Sequence, residues 1–173
     1  MSIHTELARL SIESYLDEGR PLTLSKAGQA LAIPPELLNR RAGVFVTLHL
    51  DGRLRGCIGT IEPQAESIAA EIIRNAVLSA SEDPRFSPVK SAELPDITIS
   101  VDVLGENEPA TINDLDPKRY GVIVEHEWRR GLLLPNLDGI DTVEEQVAIA
   151  LQKAGISQSM PYKLFRFEVV RHE

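Results

Sequence analysis

Residues 43–60 read GVFVTLHLDGRLRGCIGT, and the fold is decided there. The first half is rich in β-branched and aromatic residues, Asp51-Gly52 follows, and a second apolar run occupies residues 53–60. Asp-Gly between two such runs is a strong hairpin signal, because a type I′ turn needs positive φ at both central positions. A two-residue loop makes Leu50 face Arg53, Leu48 face Arg55 and Val46 face Cys57. Side chains alternate along a strand, so Arg55 and Cys57 are then expected on one side of the sheet and His49 on the other. A bulge at Gly56 or Gly59 changes that register.

Upstream, Ile3, Leu7 and Leu10, with Ala8, Ile12, Tyr15 and Leu16 beside them, recur at helical spacing until Gly19 and Pro21 stop the pattern. Between residues 23 and 40, Leu24, Ala27, Leu31, Leu37 and Leu38 look helical but are interrupted by Pro34-Pro35, which leaves two short helical turns or a loop. Downstream, Pro63 suits an early helical position. Ile68, Ile72, Ala76, Ile73, Val77 and Ala80 form a wide apolar stripe that must end before Asp83-Pro84. Ile97, Ile99, Val101 and Val103 alternate with Thr98, Ser100 and Asp102, the pattern of a strand with one buried face.

Residues 105–119 are a polar connection with room for one helical turn, and residues 121–124 and 131–134 are strand-like. Thr142 and Glu145 make a capping box for a helix whose buried stripe is Val143, Val147, Ala150, Leu151 and Ala154, with Gly155 closing it. Phe165, Phe167 and Val169 alternate with Arg166, Glu168 and Val170 as one last strand. Helices and hairpin-linked strands are intermixed without regular βαβ units, so the expected class is α+β, with mainly antiparallel sheets and packed helices.

The 173 residues correspond to one domain, and Lys plus Arg number 18 against 26 Asp plus Glu, a net charge of -8. That balance repels polyanions and argues against a general nucleic-acid binder or an anionic-membrane binder. Cys57 is the only cysteine, which excludes an intramolecular disulfide and points to a reducing compartment. His4, Glu6, Arg9 and Glu13 interrupt residues 1–15, which breaks any signal-peptide core. The expectation is a cytoplasmic protein without a membrane partner.

Metal, phosphate-loop and serine-nucleophile motifs such as CxxC, HExxH, GxxxxGK[ST], GxGxxG and GxSxG are absent. His4, His49, His126 and His172 are scattered singly, and in Glu125-His126-Glu127 strand alternation turns the carboxylates away from the imidazole. The sequence therefore indicates neither a metal nor a cofactor. Candidate chemistry concentrates in residues 54–60, LRGCIGT. Gly56 and Gly59 flank the thiol and let backbone amides approach a ligand, while Arg55 supplies a cation that would favour the Cys57 thiolate. The plainer reading is a cysteine packed as a small apolar residue between glycines that mark bulges.

Asp83-Pro84-Arg85-Phe86 is either a self-contained turn or a loop that aims Arg85 into a site. Arg129-Arg130-Gly131 is either a solvated hairpin tip or a source of anion-binding donors.

The runs LRGCIGT, DPRF, RRGLLLP (129–135) and KAGI (153–156), in that order, resemble the AMMECR-type domain family, whose prokaryotic members are called AmmeMemoRadiSam system protein A. The resemblance spans nearly the whole chain. It implies a single domain over residues 1–173, with two unequal lobes around a cleft and a subdomain boundary the sequence does not mark. It also implies association with a Memo-like protein and a radical SAM protein, without an established catalytic activity. Its signature positions fall on Leu54, Arg55, Gly56, Cys57, Ile58 and Gly59. Similar proteins usually continue with Gln-Val after the Leu-Pro step, where this chain has Asn136-Leu137-Asp138-Gly139-Ile140, and Met160-Pro161-Tyr162 replaces a tryptophan-bearing stretch.

Two functional readings follow. The first is an auxiliary or regulatory protein that binds an anionic ligand in the cleft between the lobes. The second is an enzyme with Cys57 as nucleophile or redox thiol. In either, Leu54, Arg55, Gly56, Ile58, Gly59, Thr60 and Arg85 are the expected ligand contacts.

Overall fold

The computed structural model describes residues 1–173. The Asp51-Gly52 turn forms as its dipeptide requires, with φ of 52° and 73°. It joins β1 (Val44–Leu50) to β2 (Arg53–Gly59). The register departs from uniform pairing. Leu50 pairs with Arg53 and His49 with Leu54, but Leu48 pairs with Gly56, Thr47 with Cys57 and Val46 with Ile58. Arg55 is the extra residue of a β-bulge, and every residue beyond it faces opposite to the expectation. Cys57 therefore shares a sheet face with Thr47 and His49, not with Val46.

The chain divides into two compact units, Met1–Val103 with Arg171–Glu173, and Leu104–Val170. In the first, α1 (Ile3–Glu18) starts at a Ser2–Thr5 capping box and stops at Gly19 in the left-handed conformation. Residues 23–40 form two short helices, α2 (Leu24–Ala30) and α3 (Pro35–Asn39), separated by the proline pair. The next helix, α4 (Ile68–Ser81), is capped by Ser67, so Pro63 lies in the preceding loop and not in the first helical turn. A 3-10 turn (Ser91–Asp96) leads into β3 (Ile97–Leu104).

Val44, Val46 and Leu48 of β1 are fully buried with Leu7, Ile12, Ile72, Ala76 and Val101 in one core. The other face of β3 is not simply solvated, since Ser100 and Asp102 are buried too.

The second unit contains β4 (Glu108–Pro109), β5 (Gly121–His126), β6 (Arg129–Leu133), α5 (Val143–Ala154) and β7 (Lys163–Phe167). The Thr142–Glu145 box and Gly155 delimit α5 as the sequence predicts. Its core joins Val122, Val124 and Leu133 to Val147, Ala150 and Leu151. Gly131 admits the helix closely, because a Cβ there would sit 2.2 Å from the Ala150 carbonyl oxygen.

The expected single last strand is two, since the chain breaks at Glu168 between β7 and β8 (Val169–His172). The sheets have the orders β2-β1-β3-β8 and β4-β7-β5-β6, and the pairings β1–β2, β1–β3, β4–β7, β5–β6 and β5–β7 are antiparallel. The architecture is α+β with antiparallel sheets and packed helices.

Candidate functional site

The glycine–cysteine run is built by close approach of β2 to α4. A Cβ on Gly56 would lie 2.2 Å from the Ser79 carbonyl oxygen, so only glycine lets the helix backbone meet the strand. Gly59 is covered from the other face by the Phe45 ring, also 2.2 Å from where a Cβ would stand. Neither position presents an empty cradle for a phosphate.

The backbone amides are occupied as well. Cys57 N–H donates to Asp83 Oδ2 at 2.9 Å and Ile58 N–H donates to Ser79 Oγ at 2.8 Å. Thr60 donates its hydroxyl to Glu71 Oε1 at 2.6 Å. Leu54 is exposed near the turn.

Arg55 leaves the bulge as a fork onto Glu93, with Nε to Oε1 at 2.8 Å and Nη2 to Oε2 at 3.1 Å, and it also donates to the Ser87 carbonyl at 2.9 Å. That bidentate pair holds the Glu93 carboxyl below its ordinary range. The arginine expected to serve Cys57 fastens the hairpin to the loop after α4 instead.

The residues around Cys57 come from farther away. Thr47 Oγ1 and Cys57 Sγ lie 3.2 Å apart, the thiol's side-chain hydrogen bond. Asp83, nearly buried, accepts from the Arg85 amide and Nε on Oδ1 and from Arg85 Nη2 and the Cys57 amide on Oδ2. These bonds, those of Arg85 first, hold its carboxyl far below the usual carboxylate range.

Arg85 reciprocally keeps its proton more firmly through Asp83, with a smaller contribution from Cys57. Arg171 of β8 grips buried Asp102 with two bonds of 2.8 Å, and its proton is likewise held by Asp102 first, with smaller contributions from Glu173 and Cys57. Two carboxylate-bound guanidiniums thus carry a small contribution from Cys57, and neither is Arg55.

Sequence reading singled out only Asp83 of one set of residues and missed the other three. Glu71, Asn75, Ser79 and Asp83 recur every fourth position on and just past α4, and all are buried. Glu71 Oε2 accepts from the amides of Gln64 and Ala65 at 2.8 and 2.7 Å. Asn75 donates to the Val44 carbonyl at 2.9 Å, and Ser79 donates to the Val46 carbonyl at 2.8 Å. The polar row grips β1, β2 and the loop that follows them. Its signal was polar residues at helical spacing inside an otherwise apolar stripe.

Elsewhere, Arg129 donates to the Gly155 carbonyl at 3.0 Å and lies over the exposed Trp128 ring, while Arg130 pairs with Glu125 at 2.9 Å. No three His, Cys, Asp or Glu residues are grouped so as to hold a metal ion. No helix is long and apolar enough to cross a membrane.

A hairpin locked to a helix through a glycine, with its thiol on the face turned from that helix, sits here in an α+β fold that a solved structure shares. The chain belongs to the AMMECR1 family, whose model matches residues 5–172. A Thermotoga maritima relative is 50% identical over 94% of this chain and 92% of its own length. A Clostridium acetobutylicum relative, protein CA_C1420, is 49% identical over 98% of this chain, which spans only 36% of that longer protein. The crystal structure of the uncharacterized protein PH0010 from Pyrococcus horikoshii superposes with a TM-score of 0.85 at 33% identity, covering 97% of this chain and 88% of that one.

Proposed function

We propose that the protein is an auxiliary or regulatory module of the cytoplasm that works with a Memo-like protein and a radical SAM protein and binds an anionic ligand. One observation carries this reading. The polar groups of the glycine–cysteine run are engaged in the fold, and the thiol's hydrogen-bond partner is a threonine hydroxyl, not an acid or a base. Nucleophilic catalysis needs a base within hydrogen-bond reach of the nucleophile or an activated thiolate, and no base is placed there. Arg85, its side chain 55% exposed, is the group best placed to meet an anion.

The test is calorimetric titration of the purified protein and its Cys57→Ser variant with the Memo-like and radical SAM proteins of the source organism. Both forms are expected to bind at least one partner with affinities within about twofold, since a change below ~0.5 kcal/mol is that of a contact of little energetic weight. Absence of binding by the wild type, or its loss in a folded Cys57→Ser variant, overturns the reading.

A second reading, an enzyme with Cys57 as nucleophile or redox thiol, is favoured by the reach of Arg85, whose Nη2 donates to the Cys57 carbonyl at 3.4 Å. It predicts rapid alkylation of Cys57 by iodoacetamide at neutral pH in the folded state, slowed at least tenfold in Arg85→Ala. Protection of the thiol until unfolding eliminates it.

A further inference from the structure

His4 and His172 lie far apart in sequence and meet face to face. Their ring centroids are 3.5 Å apart and the planes are inclined by 12°. His4 belongs to the first turn of α1 and His172 to the end of β8, both within the first unit. Beside the stack, the Ser2 amide donates to the Glu173 carbonyl at 3.1 Å, and Arg171 is clamped to Asp102 of β3. The final residues of the strand are therefore fastened to the start of α1 by an aromatic stack and one backbone hydrogen bond. His4 Nδ1 is buried without a hydrogen-bond partner, so no acceptor waits for a proton added there.

We propose that this imidazole stack is an acid-operated latch. Protonation of the pair places two cations in contact, separates α1 from the end of β8 and frees residues 172 and 173, beyond the clamp of Arg171 on Asp102.

The charges around the stack agree with this direction. Glu36 of α3, itself paired with Arg40, acts on both imidazoles, and Asp102, paired with Arg171, acts on His172. Both carboxylates favour the protonated rings. Burial, together with the repulsion of His172, outweighs them and brings His4 from 6.5 down to about 4. Burial likewise lowers His172. A proton therefore binds the unlatched state more tightly than the latched one. Latch stability is full above about pH 6.5 and falls as the pH drops toward 4.

Hydrogen exchange on the full chain, corrected for intrinsic rates, tests the proposal. Between pH 7.5 and pH 5 the opening constant of amides 172 and 173 should rise on the order of 30-fold from His4 alone, while those of Val46 and Val101 stay constant. The His4→Gln/His172→Gln double variant should show no such rise. A flat wild-type response, or an equal rise in the double variant, overturns the latch. If that variant is already open at pH 7.5, the wild-type imidazole titrations followed by NMR decide. Both rings must titrate below 6.5, and titration of either at or above that value rejects the proposal.

Discussion

The amide of Cys57 rests on Asp83, and the Asp83 carboxylate rests on Arg85, so one buried acid serves two partners. Asp83→Ala strands a buried N–H and an arginine, and is expected to cost about 2–3 kcal/mol in urea unfolding. The carboxyl titrates below its ordinary value, so its contribution is complete above about pH 4 and drains away on further acidification. Between about pH 4 and pH 2 the urea midpoint of the wild type should fall more steeply than that of Asp83→Asn. Gly56→Ala would drive a methyl group into the Ser79 carbonyl and should cost about 3 kcal/mol by forcing α4 off the strand.

Among elements, α4 depends on its buried polar row as much as on its apolar stripe. Glu71→Ala leaves the Thr60 hydroxyl and the Gln64 and Ala65 amides without their acceptor. The expected loss is about 3 kcal/mol, read as a lower thermal midpoint, whereas substitutions of exposed Glu82 should fall within about 0.5 kcal/mol. The extents of α1 and α5 were legible because Gly19, Gly155 and the Thr142–Glu145 pair are local signals that act on the residues beside them. The partners of α4 were not, because hydrogen bonds between Asn75 and Val44, or Ser79 and Val46, connect residues that only the folded chain brings together.

The hairpin was legible for the same local reason as the caps, and its face was not. A two-residue turn fixes the pairing only as far as the first irregularity. The fork from Arg55 to Glu93 is a tertiary contact with no trace in the spacing of residues 53–59.

For the molecule as a whole, the alternation of helices with hairpin-linked strands was enough to give α+β, but not the division into two sheets. Residues 163–172 alternate almost without interruption, yet Glu168 lies between them, its carbonyl accepting from Gly105 N–H at 2.8 Å and its carboxylate paired with Arg119. The alternation counts residues and is blind to which sheet receives them. The net charge of -8 carries its own prediction. Fluorescence anisotropy should detect no binding to duplex DNA or to RNA at about 0.15 M salt, where screening still leaves the overall repulsion dominant. Micromolar binding would contradict it.

The bulge at Arg55 gives the first unit a property that residue identities do not contain. Strand faces obey a rule of odd and even, and one supernumerary residue reverses it for everything that follows. Excising Arg55 would leave a uniform ladder that still pairs Gly56 with Leu48 and Cys57 with Thr47. Flattening the bulge with Arg55 retained would instead pair Cys57 with Val46, send the thiol toward α4 and turn Ile58 toward the sheet's other face. For this hairpin, length is therefore information of the same rank as composition. A relative with the same motif but one residue fewer between turn and cysteine would need no bulge to keep the same assignment of inside and outside, and one of equal length without the bulge would carry the mirror assignment.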